Sequence, residues 1–104
     1  MLLQRLRQKV LTANMDLVRA GLVFSTFGNA SGISREDGLV VIKPSGVPYN
    51  SLEIQDMVVT TLDGEVVEGD LRPSVDLPTH LELYKAWGRP APASLTDAIA
   101  MPKK

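Results

Sequence analysis

The chain has 104 residues, 44% of them hydrophobic and 22% charged, with a formal net charge of −1 at pH 7. That length holds at most one small domain with a packed core. The near-zero charge, with no run of Lys and Arg interleaved with aromatics, argues against nucleic acid and anionic lipid as partners. The absence of cysteine removes disulfides, thiolate metal sites and cysteine nucleophiles.

The opening "MLLQRLRQKVLTANMDL" is interrupted by charge every few residues. It therefore reads as neither a secretory signal nor a membrane span, and a soluble cytoplasmic protein is expected. Leu3, Leu6, Val10, Ala13 and Leu17 recur at helical spacing, which predicts an amphipathic helix from about Leu2 to Ala20 with Gly21 as its stop. In "LVFSTFGNASGISREDG", Val23 to Phe27 favour extended structure and the Gly/Asn/Ser cluster after them a tight turn. "REDG" reads as a hairpin loop leading into a buried strand, Leu39 to Lys43, which "PSGVP" ends. Asn50 or Ser51 is expected to cap a short helix through Asp56, with Glu53 completing a capping box from Asn50. "MVVTTL" and "EVVEG" read as strands joined at Asp63-Gly64. Pro78 lies in the first turn of a helix running to about Trp87. After Trp87 the Pro/Ala alternation of "GRPAPASLTDAIAMPKK" suits neither helix nor strand. "SLTDAIAM" offers at most a weak helical turn, so a flexible tail is expected over residues 88–104. Helix, hairpin-ordered strands and helix together predict a layered α/β domain with much antiparallel pairing.

Three loops place small or polar groups at the ends of these elements: Gly28, Asn29 and Ser31; Lys43, Ser45 and Gly46; Ser74 and Asp76. Backbone N–H groups, hydroxyls, an amide and an ammonium are what a phosphate requires around it. Each loop is also ordinary turn chemistry, and only their convergence would make a site. His80, the sole histidine, reads either as a packed or capping residue or as a ligand. Asp76 reads either as a helix cap or as a functional acid.

The segments "GNASG", "VIKPSGVPY", "DMVVTTLDGEVVEG" and "RPSVDLPTH", in this order and spacing, resemble the class II aldolase/adducin family over about residues 1–87. The aspartate ahead of "PTH" is most similar to the L-ribulose-5-phosphate 4-epimerase branch. The resemblance implies a layered α/β domain with a largely antiparallel central sheet flanked by helices, here truncated, from a family of homotetramers. It implies zinc as cofactor and a sugar phosphate as substrate. C4 of a ketopentose phosphate would be inverted by retro-aldol cleavage and re-addition. Carried onto this sequence, it makes Asn29, Ser45, Gly46 and Ser74 phosphate-site residues, Lys43 a cation near the substrate, and Asp76 the acid beside the metal.

Two departures from the family pattern stand out. Val75 occupies a position where a second serine is usual. The residues from Gly88 to Lys104 stand where a metal-binding His-x-His pair should follow. The chain is therefore expected to retain no zinc and to be inactive as it stands. The alternatives are an L-fuculose-phosphate aldolase-like enzyme, which would release the aldehyde, and a non-catalytic adducin-like interaction module.

Overall fold

The computed structural model describes residues 1–21, 29–86 and, for the backbone only, 98–101. Helix α1 (Gln4–Arg19) comes first, then strands β1 (Asn29–Ser34) and β2 (Leu39–Ile42). Two single-turn 3-10 helices, Tyr49–Ser51 and Ile54–Asp56, lead to β3 (Val58–Thr61) and β4 (Val66–Glu68). Helix α2 (Leu77–Ala86) and strand β5 (Ala98–Met101) follow. The strands form one antiparallel sheet in the order β4-β3-β2-β1-β5.

The sheet separates two apolar layers because successive strand residues face opposite sides. Ile33, Val40, Ile42 and Val58 meet Leu77, Leu81 and Tyr84 of α2. Val41 and Val59 meet Val10 of α1, with Tyr49, Leu52 and Met57 completing that layer. Strand β2 lies at the centre of the sheet, and Val40, Val41 and Ile42 are wholly buried. Each such side chain contributes about 1.5–3 kcal/mol through removal from water.

Local chemistry explains the element ends. Helix α1 stops where Gly21, at φ +71°, donates to Val18 O, a backbone conformation glycine adopts without a Cβ clash. The β1–β2 turn closes through Gly38 N–H to Ser34 O and Ser34 Oγ–H to Asp37 Oδ2, at 2.8 and 2.7 Å. The β3–β4 turn closes through Gly64 N–H to Thr61 O at 3.1 Å. Helix α2 buries Leu77, His80, Leu81 and Tyr84, a stripe at helical spacing.

Three expectations change. The Asn29–Ser34 segment is a strand, not a tight turn. Pairing with β2 and β5 and the buried partners of Asn29 and Ser31 override its turn propensity. The capping box joins Glu53 to Asp56, not Asn50 to Glu53, and the expected short helix is two separate turns. The residue between them, Leu52, is extended and turned into the α1-side core, which interrupts the helical path. Within the tail, Ala98–Met101 pairs with β1 as a strand, where a weak helical turn or flexible end was expected. Ladder hydrogen bonds supply the support that an isolated turn lacks. The extended structure expected for Val23–Phe27 falls outside the described residues, as do Gly28, Trp87 and the remainder of the tail. No helix among the described residues is long and apolar enough to cross a membrane.

Candidate functional site

The loops that carry the predicted residues are brought together by backbone pairing. Pro44 and Pro73 form an antiparallel bridge. Beside it Ser45 N–H donates to Arg72 O at 2.8 Å and Ser74 N–H to Lys43 O at 2.9 Å. The loop after β2 is thereby fixed against the loop before α2. Leu77 N–H closes the second loop on Ser74 O at 3.0 Å, and Ser74 Oγ accepts Asp76 N–H at 3.2 Å. Strand β1 supplies the third contributor: Asn29 Nδ2 donates to Asp76 Oδ2 at 2.6 Å.

A cleft of about 210 Å³ results, lined by Asn29, Lys43, Ser45, Gly46, Ser74, Val75 and Asp76. All six predicted site residues are in it, and the seventh is the position where the family pattern has serine. Ser45 and Gly46 are exposed at the rim, whereas Asn29, Lys43 and Ser74 are buried in the wall. Gly46 has φ +76° with no atom within 4 Å of a built Cβ, so backbone conformation and not space demands glycine.

The electrostatics are mixed. Burial pulls the Lys43 ammonium below its ordinary pKa, and the Asp76 charge opposes that shift. Lys43 Nζ donates to Pro44 O at 2.9 Å and lies 5.4 Å from the centre of the Tyr49 ring. Burial and then the Asp76 charge raise the Tyr49 hydroxyl to about 12, so it stays protonated at neutral pH. Burial pushes His80 down to about 4, with Asp76 again opposing, and its imidazole is neutral at pH 7.

His80 and Ser31 stand behind the cleft. His80 Nε2 bonds to Asn29 Oδ1 at 2.7 Å and Nδ1 to Ser31 Oγ at 2.6 Å, and Ser31 Oγ meets Tyr84 Oη at 2.8 Å. Sequence reasoning missed Tyr84; its place on the buried stripe of α2, one turn after His80, was the available signal. Asn29 holds Asp76 Oδ2, and backbone groups close the first turn of α2, with His80 N–H donating to Asp76 O at 3.1 Å.

Zinc, implied by the family resemblance, does not fit the donors present. The only histidine has both ring nitrogens engaged inside the core, and the chain has no cysteine. Among the described residues no group of three His, Cys, Asp or Glu could hold a metal ion. Structural or catalytic zinc ordinarily takes at least three protein ligands.

The sequence pattern of the Class II Aldolase and Adducin N-terminal domain matches residues 8–93. The chain belongs to this family. It is 59% identical over 85 residues to L-ribulose-5-phosphate 4-epimerase UlaF of Salmonella paratyphi C (strain RKS4594), covering 82% of this chain and 37% of that protein. The same figures hold for UlaF of Salmonella choleraesuis (strain SC-B67). Among solved structures, an L-fuculose 1-phosphate aldolase superposes with a TM-score of 0.79 at 33% identity, over 92% of this chain and 42% of that one. YgbL from Klebsiella pneumoniae superposes with a TM-score of 0.77 at 29% identity, over 95% and 44%. This class II aldolase family chain thus spans 37% of the length of the curated relatives it matches.

Proposed function

We propose that the chain carries the phosphate- and acid-bearing part of an L-ribulose-5-phosphate 4-epimerase-like site, and that it binds a sugar phosphate without turning it over. Convergence of Asn29, Lys43, Ser45, Gly46, Ser74 and Asp76 on one cleft carries this reading. The higher identity to epimerases, 59% against 33% for the aldolase, favours epimerisation over aldehyde release.

Inverting C4 by bond cleavage requires the C4 hydroxyl to lose its proton as the C3–C4 bond opens. The electron pair of that bond moves onto the C1–C3 fragment as an enediolate, and the phosphate-bearing aldehyde turns and adds back through its other face. Ser45 and Ser74 hydroxyls with the Gly46 turn would hold the phosphate as a tether during the turn. The Asp76 carboxylate would exchange the hydroxyl proton. Lys43 is the cleft's own cation, and its positive charge would favour the anionic fragment. The intact family's zinc would supply Lewis acidity; the described residues do not provide its ligands, and turnover by the 104-residue chain is accordingly not expected.

In this reading residues 1–87 are the N-terminal part of the epimerase-like domain and residues 88–104 a divergent tail. A cytoplasmic setting and a homotetramer with sites between subunits accompany it. Titrating the ¹⁵N-labelled chain with L-ribulose 5-phosphate should shift the amides of Ser45, Gly46, Ser74, Val75 and Asp76, saturating in the millimolar range without formation of the C4 epimer. Shifts confined to α1, or none at saturation, would remove the reading. Preferential response to L-fuculose 1-phosphate would favour the aldolase. Restoring the family hydroxyl with Val75→Ser should tighten binding of inorganic phosphate roughly tenfold, the lower end for a hydrogen bond to a charged group.

A further inference from the structure

With the His80 ring neutral, the hydrogen-bond chain behind the cleft has one consistent assignment of its protons. A carboxylate only accepts, so the NH2 group of Asn29 faces Asp76 Oδ2 and its carbonyl Oδ1 faces His80. Oδ1 also only accepts, so His80 Nε2 carries the ring proton. The bare Nδ1 of the neutral ring then accepts from Ser31 Oγ–H. That hydroxyl has no second proton, so Tyr84 Oη–H donates to Ser31 Oγ. Every proton points from Tyr84 toward Asp76, through groups no more than 1% exposed from Tyr84 to Asn29.

We propose that His80 is a positioning residue, whose Nε2–H locks the Asn29 amide so that its N–H groups face the cleft and hold the Asp76 carboxylate in place. This rests on Asp76 being the acid of the proposed site. Without the Nε2 proton, Asn29 Oδ1 would be a buried acceptor with no donor. The amide would gain by turning, and the turn would bring oxygen against the carboxylate. The low basicity of the buried imidazole agrees with the assignment, since a neutral ring is needed for Nδ1 to accept.

The chain's single histidine makes the test direct. In the ¹⁵N-histidine-labelled 104-residue protein at pH 7, two-bond ¹⁵N–¹H spectra should show the Nε2–H tautomer; an Nδ1–H tautomer, which leaves Nε2 bare, would overturn the proposal. His80→Leu fills the space without a donor, whereas the amide nitrogen of His80→Gln can restore one to Asn29. Hydrogen exchange of the Asn29 side-chain amide should quicken about tenfold in the leucine variant, the loss of one buried hydrogen bond. It should stay within about twofold of wild type in the glutamine variant, with β1 and β2 backbone exchange unchanged in both. Equal acceleration in the two variants would reduce His80 to core filling. Should the leucine variant not fold, the wild-type tautomer and the glutamine exchange rate still decide. Failure of sugar-phosphate binding would sink the functional reading and leave these spectra as they are.

Discussion

His80 shows how one residue can be visible in a sequence and still unreadable. Its position four residues after Asp76 is evident, but its partners come from strand β1 and from the next turn of α2. The same holds for Asn29, whose neighbours suggest a turn and whose actual place is a buried strand position. Asn29, Lys43, Ser45, Gly46, Ser74 and Asp76 are legible as polar loop chemistry. Their convergence is not, because pairing of residues distant in sequence, around the Pro44–Pro73 bridge, creates it. Burial of His80 has a measurable consequence. The unfolded chain takes up a proton near pH 6.5 and the folded chain near pH 4. Between those values the unfolded state binds more protons, so the stability contributed by the neutral ring is complete above pH 6.5 and declines as pH falls through 4. The decline amounts to about 3 kcal/mol. Urea unfolding from pH 7.5 to 4 in metal-free buffer should therefore show wild type losing stability relative to His80→Gln by up to that amount. Parallel curves would contradict the burial.

At the scale of elements, helix α1 and strands β2, β3 and β4 are legible because their signals are local: periodic leucines, β-branched runs and Asp-Gly turn chemistry. How α1 is attached is not legible. Asn14, wholly buried on the helix, accepts Ala30 N–H at 2.9 Å and donates to Ala30 O at 3.1 Å, acting on β1 as a short strand would. Arg7 donates to Leu2 O, Met57 O and Glu68, which fastens the helix start to the residue ahead of β3 and to β4. Both residues look like members of a solvated helix face in sequence, since only tertiary structure supplies their partners. Asn14→Leu keeps the volume nearly constant and leaves two buried backbone groups of Ala30 without the amide. A loss of about 3 kcal/mol is expected, visible as a lower urea midpoint at unchanged slope. Asn50→Ala provides the contrast, because Asn50 is exposed and does not cap the turn that follows. It should change stability by less than about 0.5 kcal/mol. A large loss at Asn50 would restore the capping role that its sequence position suggests.

For the whole molecule, the fold of the family and the metal chemistry of the family separate. The layered domain needs only the core on either side of the sheet, and the described residues supply both layers. A zinc site needs several neutral or anionic donors free to converge on one point. The chain contains one imidazole and no thiol, and the imidazole is committed to Ser31 and Asn29. Turning His80 to a metal would break both bonds and strand buried polar groups at Ser31 and Asn29, a cost of about 1–3 kcal/mol for each. Asp76, already sharing one oxygen with Asn29, would remain as the cleft's carboxylate. One carboxylate with water ligands holds zinc far too weakly to survive dialysis. The purified chain, loaded with zinc at pH 7.5 and dialysed, should therefore carry well under one zinc per chain by elemental analysis. Its histidine ¹⁵N spectrum should match that of the chelator-treated protein. Stoichiometric zinc with an altered His80 spectrum would mean that the imidazole leaves the core for the metal, and the hydrogen-bond chain from Tyr84 to Asp76 would then have to be abandoned along with the prediction.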